Sequence, residues 1–316
     1  MPNAFDAPHF TNEAAARELI ESIRWPHGPV CSHCGVVNRA YQVKGRAGLY
    51  RCAERLCRKD FTCTTGTVME RSKIPLHKWM MGFYLMNASK KGVSAHQLHR
   101  ALGITYQSAW FMGHRIREAM TSGGLMPVGG PDGSGIVEVD ETYFGPTAEA
   151  KVSKQRKGRP YNPRGSRGPA NKRAIVALVE RGGSLRSFHV ANADKATVNA
   201  IIAANIKPEA RVFTDESRLY ADVEAQFAEH QTVRHSAKEY ARGEVHTNTI
   251  EGSFSIFKRG MKGVYQHCAE KHLHRYLAEF DFRYNHRVGL GYSDIDRTKA
   301  AIKGVEGKRL TYRQPH

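Results

Sequence analysis

The sequence has no long apolar run and no recognisable export signal. No stretch approaches the ~20 apolar residues that a membrane-spanning helix needs. The first twenty residues, MPNAFDAPHFTNEAAARELI, lack the basic-then-apolar layout of a secretion signal. Lipidation signals, basic amphipathic anchors and internal repeats are also missing from the sequence. We therefore expect a soluble, cytosolic protein that does not act at a membrane.

Acidic residues are scarce relative to basic ones. Lys and Arg total 48 against 30 Asp and Glu, which gives a formal net charge of +18. Such an excess favours a polyanionic partner, because basic side chains release counterions from phosphates. The chain has 316 residues, of which 41% are hydrophobic, enough for one sizeable core and one or two small modules. Composition thus favours a globular protein that binds nucleic acid.

Cysteine is rare outside one short region. Of the six cysteines, five lie between Cys31 and Cys63. A cytosolic chain keeps its thiols reduced, so this clustering indicates a metal site more than disulfides. Reduced cysteines packed in a small core are the alternative. However, a region with so few apolar side chains needs a cross-link such as a bound metal ion to fold. Four of the cysteines form two pairs across a strand-like spacer, YQVKGRAGLYRC: Cys31 with Cys34, and Cys52 with Cys57.

These two pairs predict a zinc ribbon, in which four thiolates hold a structural zinc ion. The first pair has a gap of two residues, whereas four residues separate Cys52 from Cys57. This wide second pair leaves the fourth ligand open. Cys63 is an alternative to Cys57, and His33 is another nearby donor.

A helix-turn-helix is predicted after a buried helix at LHKWMMGFYLM. Ser94 caps a short helix that runs to Leu102, Gly103 makes the turn, and Thr105 caps the second helix. The second helix of such a motif enters the major groove of DNA. An ordinary pair of helices in a bundle is the alternative. The DNA-binding residues expected on this helix are Gln107 and Arg115.

The linker TSGGLMPVGGPDGSG divides the chain into a head and a main domain. The main domain reads as three strands, a helix, a strand, a helix, a strand and a helix, an α/β pattern. The predicted segments are an N-terminal helix and zinc ribbon over 1–70, a helix-turn-helix over 71–122, the linker over 123–135, the main domain over 136–295 with a basic loop over 146–173, and a C-terminal tail over 296–316.

Three carboxylates of the main domain stand out by their positions. Asp140 and Asp215 each follow an apolar strand, and Glu251 lies on the helix after the last strand. Carboxylates that converge in this way hold two divalent metals about 4 Å apart, and oxygen ligands suit Mg²⁺ or Mn²⁺. An Asp at a strand end is often only a cap, so the combination carries the prediction. Glu141 competes with Asp140, because alternation along a strand points only one of them inward.

A basic residue accompanies the third carboxylate. Lys258 lies seven residues after Glu251, two helical turns along the same face, where its ammonium group is placed to hold phosphate. Arg259 and Lys262 extend this basic surface. We therefore expect these three side chains to bind DNA.

The blocks VDETYFG, FTDE and HTNTIEGSFSIFKRG resemble the three catalytic blocks of insertion-sequence transposases with a DDE triad. FTCTTGT followed by IPLHKW, with the cysteine pairs before them, resembles the zinc-ribbon head of the ISXO-like group. The similarity runs from about Trp25 to Asn285. The wide second cysteine pair departs from the usual gap. Some relatives carry Asn at the third catalytic position, where this chain keeps Glu251.

This resemblance implies an RNase H-like catalytic domain with the triad Asp140, Asp215 and Glu251, and with Lys258 as the accompanying basic residue. It implies double-stranded DNA as partner, both as terminal inverted repeats and as target, and Mg²⁺ or Mn²⁺ as cofactor beside structural Zn²⁺. The implied reaction is hydrolysis at transposon ends, followed by attack of the freed 3′-hydroxyl on target DNA. Pairing of two DNA ends makes a homo-oligomer the expected assembly.

Three other functions fit parts of the sequence. A DNA-binding regulator needs no carboxylate triad, and a zinc hydrolase needs an open zinc site, whereas the cysteine set looks closed. A nuclease that cleaves without joining uses the same metals and is hardly separable by sequence. The sequence therefore favours a transposase, with the nuclease as its nearest competitor.

Overall fold

The computed structural model describes the chain over five stretches: residues 4–123, 126–130, 132–147, 171–237 and 239–311. The fold divides into two compact units, one of Met1–Thr121 with Gly291–His316 and one of Ser122–Leu290. The predicted basic loop lies outside the described residues from 148 to 170. Within the described stretches, every helix is too short or too polar to cross a lipid bilayer.

The first unit opens with a helix and a small antiparallel ribbon. Helix α1 spans Glu13–Arg24, and the Asn12 side chain caps it by accepting from two backbone N–H groups. The ribbon strands are β1 (Ala40–Gln42), β2 (Tyr50–Cys52) and β3 (Asp60–Phe61), in the order β1-β2-β3. Strands this short bury little apolar surface, so the ribbon needs a further source of stability.

An aromatic cluster joins the ribbon to α1. The Trp25 ring packs edge-on against Tyr50 at 5.5 Å and against Phe61 at 5.7 Å. The Tyr50 hydroxyl donates a 2.9 Å hydrogen bond to the Glu21 carboxylate on α1. These three rings are the main apolar contact of the ribbon, and they orient it on the helix.

Three further helices complete the head: α2 (Leu76–Ala88), α3 (Ala95–Leu102) and α4 (Tyr106–Met120). Ser94 and Gln97 form a capping box at the start of α3, and Gly103 ends that helix with φ +57°. The Thr105 side chain accepts from the Ser108 N–H and caps α4. The two helices and their glycine turn therefore lie where the sequence predicts them, and their use as a DNA-binding motif stays a prediction.

The C-terminal residues differ from the predicted tail. A helix spans Asp294–Lys303 and belongs to the first unit, where it packs on α2. Ser293 starts it with a capping box, and Ala301 and Ile302 are fully buried. Burial of this apolar pair gives the end of the chain a structural role that the predicted tail over 296–316 did not include.

The second unit is built on a five-stranded mixed sheet. Its order is β6-β5-β4-β7-β8, in which β6, β5 and β4 pair antiparallel while β7 and β8 run parallel to β4. The strands are β4 (Ile136–Pro146), β5 (Lys172–Glu180), β6 (Leu185–Val190), β7 (Arg211–Asp215) and β8 (Glu229–Val233). The unit is therefore a mixed α/β structure, as the element order predicts.

Helices cover both faces of this sheet. On one face, α5 (Lys195–Asn205) packs on Val139 and Leu178. On the other, α6 (Asn248–Gly260) and α7 (Leu273–Asn285) cover Ile175 and Ala177. No pattern in the sequence predicted α7. Both faces of β5 are thus buried, which explains its continuous apolar run.

Two segments of this unit depart from the predictions. The segment SRLYADVEAQF forms two short 3-10 helices, Arg218–Tyr220 and Glu224–Gln226, instead of one α-helix. Tyr220 ends the first of these helices and Val223 precedes the second, and both side chains are buried in the core of this unit. The predicted linker packs in this unit through Val128, which is buried and bridges to Ile206.

Candidate active site

The strand register shows which carboxylate of the Asp140–Glu141 pair faces α6. Asp140 lies opposite Ala177, and Ala177 packs against α6. Glu141 lies opposite Val176, which belongs to the core on the other face. There the Glu141 carboxylate accepts a 2.6 Å hydrogen bond from the buried Tyr220 hydroxyl. The geometry therefore favours Asp140 over Glu141 as the partner of residues on α6.

The other two predicted carboxylates border the same cleft as Asp140. Asp215 ends β7, the neighbour of β4, and accepts from the Ser217 N–H at 2.9 Å. Glu251 lies in the first turn of α6 and accepts from the Thr247 hydroxyl at 3.1 Å. The cleft is open and has a volume of about 490 Å³. Its lining residues are Asp140, Glu141, Thr142, Asp215, His235, Glu251, Phe254, Ser255, Lys258, Arg259 and Lys262.

Burial and mutual repulsion disfavour negative charge on these carboxylates. Burial, with the nearby Glu141 and Asp215 carboxylates, raises the pKa of Asp140 to about 8. Burial also raises the pKa of Asp215, although the Ser217 N–H and the nearby His235 oppose this effect. The negative charges of these carboxylates repel one another in the cleft, an arrangement typical of a cation site.

The basic side chains predicted to hold phosphate border the carboxylates. Lys258, Arg259 and Lys262 all line the cleft. Burial lowers the pKa of Lys258, while the charge of Asp140 works in the opposite direction. The Arg259 Nε donates to the Ser255 carbonyl at 3.2 Å, and its side chain is exposed. The cleft therefore combines a carboxylate cluster with a cationic rim, and such a rim is suited to binding phosphate groups.

His235 is a cleft residue that the sequence did not single out. It follows β8, whose Val233 lies opposite Asp215 in the parallel register. The His235 Nε2 lies 3.5 Å from a Glu251 oxygen. A residue just past one parallel strand lies beside the end of the next strand, and this is the signal in the sequence that could have identified His235.

The four paired cysteines come together in the ribbon. Their sulfur atoms all lie within 4.8 Å of one another, with 3.8 Å between Cys31 and Cys57 and 3.6 Å between Cys34 and Cys52. Sulfurs about 2.3 Å from a tetrahedral zinc ion lie about 3.8 Å apart. The donor set therefore fits a structural zinc ion.

The local backbone explains how a four-residue gap fits this cluster. In the second pair, the Cys57 and Arg58 N–H groups both donate to the Glu54 carbonyl. This turn places the Leu56 side chain outward, 98% exposed, and brings Cys57 back toward Cys52. The wider gap thus adds an exposed tip to the ribbon without displacing the sulfur atom.

The alternative ligands lie outside the cluster found in the described part of the chain. Cys63 is buried, and burial raises the pKa of its thiol to about 12. Its carbonyl accepts a hydrogen bond from the Arg24 guanidinium. The His33 Nε2 lies 3.2 Å from the Asp60 carbonyl. This geometry favours Cys57 as the fourth ligand.

The two residues predicted to contact DNA on α4 differ in their surroundings. Gln107 is exposed in the first turn of the helix. Arg115 is half-buried, donates to the Glu70 and Leu310 carbonyls, and lies over the Phe111 ring at 4.5 Å. The guanidinium of Arg115 therefore has structural contacts within the head, whereas the Gln107 side chain is exposed at the start of α4.

Known proteins match both parts of the chain. Residues 133–285 match the ISXO2-like transposase domain, and residues 11–60 match a transposase zinc-ribbon domain. The chain is also 29% identical over 288 residues to an uncharacterized protein in transposable element ISH50 of Halobacterium salinarum, covering 87% of this chain and 91% of that protein. The first match contains the three carboxylates, and the second contains the four clustered cysteines.

Proposed function

Because the chain carries an ISXO2-like transposase domain and a transposase zinc ribbon, we propose that it is an insertion-sequence transposase that cleaves and joins DNA strands. The observation that carries the proposal is the convergence of Asp140, Asp215 and Glu251 on one open cleft. The sheet order, with three antiparallel strands followed by two parallel ones, supports an RNase H-like catalytic unit.

Asp140, Asp215 and Glu251 would hold Mg²⁺ or Mn²⁺. The donors in this set are all carboxylates, which hard divalent cations prefer, and the raised pKa of Asp140 reflects negative charge that a cation would compensate. Bound there, such cations supply activation of a water or 3′-hydroxyl and stabilisation of the leaving oxygen. The chemistry of the donor set therefore fits the cofactor.

The other side chains of the cleft bind and orient the DNA. Lys258, half-buried beside Asp140, contacts a non-bridging phosphate oxygen, while Arg259 and Lys262 extend this contact along the backbone. Gln107, exposed on α4, reads the terminal repeat. Two ends and one target must meet in one complex, so the chain works as a homo-oligomer on DNA.

The experiment is strand cleavage and joining on DNA that carries the terminal sequences flanking the gene, with Mg²⁺ or Mn²⁺. We expect Asp215→Ala to lower both reactions about a thousandfold or more, because a ligand of the activating metals is lost. Binding of the same DNA should stay near wild type. Asp222→Ala is the matched control, since Asp222 is exposed, pairs with Lys195 and does not line the cleft.

Each outcome of this experiment has a defined meaning. Joining that requires metal and is lost only in Asp215→Ala supports a transposase. Cleavage without joining would make the protein a nuclease of the same fold. Binding of the ends with neither reaction would assign a regulatory role and contradict the proposal.

A further inference from the structure

A fourth acidic residue, Glu138, lies on β4 two positions before Asp140 and on the same side of the strand. It is fully buried. Its Oε2 accepts from the Thr249 N–H at 2.9 Å and from the Ile250 N–H at 3.0 Å. Its Oε1 accepts from the Thr249 hydroxyl at 2.8 Å. Glu138 therefore caps the N-terminus of α6 from a neighbouring strand, and not from within the helix.

Arg181 makes burial of this charge tolerable. The Arg181 Nε donates to Glu138 Oε1 at 2.6 Å. The guanidinium is itself held by the Glu244 carbonyl at 2.7 Å and the His246 carbonyl at 2.9 Å, and it lies over the Phe213 ring at 5.1 Å. A buried carboxylate with a fixed cation and several donors is stable only in one geometry. The pair is therefore a rigid anchor.

The anchored backbone leads directly into the cleft. Thr249 and Ile250 immediately precede Glu251, so the hydrogen bonds to Glu138 fix the chain one residue before the third carboxylate. The residue at the N-cap, Thr247, makes no capping hydrogen bond through its side chain. Its hydroxyl donates instead to the Glu251 carboxylate. The start of α6 thus depends on Glu138 for a side-chain cap.

We propose that Glu138 is a positioning residue that fastens α6 to β4 and so fixes Glu251 relative to Asp140 for metal binding. This inference rests on the proposed function, because it takes the carboxylates of the cleft as metal ligands. Glu138 itself is no ligand, since both of its oxygens already accept hydrogen bonds from α6 and it is buried. Replacing a residue that orients metal ligands typically lowers metal affinity about 10–100-fold.

The test is Mn²⁺ binding to the full chain, measured by the loss of free Mn²⁺ signal in electron paramagnetic resonance, without DNA or turnover. Glu138→Gln turns one oxygen into an NH₂ donor that faces the donors of α6 or Arg181. We expect its affinity for Mn²⁺ to fall about tenfold. Asp215→Ala, which removes a ligand, should bind far more weakly still.

A matched variant separates positioning from general destabilisation. Glu279→Gln alters another fully buried Glu of the same unit, one that Arg283 and the Tyr265 hydroxyl hold on α7. It should lower the melting temperature about as much as Glu138→Gln while Mn²⁺ binding stays at the wild-type value. Equal weakening of Mn²⁺ binding in both variants would overturn the positioning role.

A milder variant covers the case in which Glu138→Gln does not fold. Thr249→Val removes one hydroxyl donor to Glu138 and keeps the backbone N–H and the side-chain shape, so we expect about threefold weaker Mn²⁺ binding. Wild-type affinity in Thr249→Val, or in a folded Glu138→Gln, would overturn the inference alone. Failure of the wild type to bind Mn²⁺, or wild-type binding by Asp215→Ala, would overturn the proposed function together with it.

Discussion

The ribbon and the cleft both gather metal-binding side chains, but the fold supports them in opposite ways. In the ribbon, strands of two or three residues surround four sulfur atoms that lie within 4.8 Å of one another. In the cleft, a five-stranded sheet with helices on both faces holds three carboxylates around an open space of about 490 Å³. We therefore expect the ribbon to need a bound zinc ion to fold, whereas the core of the second unit supports the cleft without one.

Neighbouring ligands repel one another in both regions. In the cleft, burial and neighbouring carboxylates that the sheet holds in place raise the pKa of Asp140 to about 8. In the ribbon, although the Val36 N–H lowers it, burial and the other three clustered thiols raise the pKa of Cys34 to about 12. The two regions differ in what offsets this repulsion, because only the cleft is supported by a large hydrophobic core.

The largest expected effect breaks the ribbon without touching the cleft. Cys57→Ser removes one of the four clustered thiolates, so we expect zinc content to fall from about one ion per chain to well below half. The ribbon should unfold, since its apolar contacts are few. Zinc analysis and near-ultraviolet circular dichroism measure both effects, while Mn²⁺ binding by the cleft should be unchanged.

Cys63→Ala is the control for the fourth ligand. Cys63 is buried, but its sulfur lies outside the cluster, so this variant should keep its zinc with at most a modest loss of stability. If Cys63→Ala loses zinc and Cys57→Ser retains it, the assignment of the fourth ligand is wrong. Loss of Mn²⁺ binding in Cys57→Ser would show that the two sites are not independent.

A smaller effect concerns the cationic rim. Lys258→Ala removes a half-buried ammonium group beside Asp140, so we expect strand joining to slow about 10–100-fold, because transition-state charge on the phosphate loses one partner. The number of counterions released on DNA binding, which the salt dependence of the affinity measures, should also fall by about one. Rate measurements at saturating DNA and binding across a salt series test these two effects.

Lys271→Ala provides the comparison for Lys258. Lys271 is exposed in the second unit and does not line the cleft, so removing it changes the net charge by the same amount. Its joining rate should stay within about twofold of the wild type. Equal slowing by the two substitutions would mean that Lys258 acts only through net charge.

Local signals explain what the sequence predicted in both regions. Ser94, Gly103 and Thr105 have the capping or turn roles expected of them, because caps depend on the few residues around them. Asp215 was found in the same way, since an apolar run followed by Asp predicts a strand and its edge, and Asp215 ends β7. Asp140 was also expected to follow a strand, but it lies within β4, which continues to Pro146. Local pattern is thus sufficient for elements and for site residues at their ends.

Long-range contacts explain what the sequence did not predict. In the sequence, Glu138 is only a charged residue within an apolar strand. Its partners Arg181 and Thr249 lie 43 and 111 residues further along the chain. His235 reaches the cleft only because β8 pairs with β7. The C-terminal helix packs on α2, more than 200 residues earlier in the chain. Such pairings have no local signature, so the structure was needed to find them.

The smallest expected effect tests the repulsion in the cleft. Because the pKa of Asp140 in the folded protein, about 8, lies above its ordinary value, its stabilising contribution is complete at low pH and is lost as the pH rises through about 8. Asp140→Asn removes this dependence. With zinc retained but no added Mg²⁺ or Mn²⁺, the variant should therefore melt about 4 °C above the wild type at pH 9, and the difference should vanish only near pH ~4, the ordinary pKa of an aspartate.

Asp281→Asn is the comparison for Asp140→Asn, because Asp281 is a buried acid that lies outside the cleft. Burial also raises the pKa of Asp281, to about 7, against hydrogen bonds from Ser187, so its stabilising contribution is likewise lost as the pH rises. Added Mn²⁺ should stabilise Asp281→Asn as much as the wild type, because Asp281 lies outside the cleft. The same Mn²⁺ should stabilise Asp140→Asn far less. An equal response to Mn²⁺ in both variants would mean that the repulsion at Asp140 has no connection with metal binding. The cleft would then not be a preformed cation site, and its contrast with the zinc ribbon would be wrong.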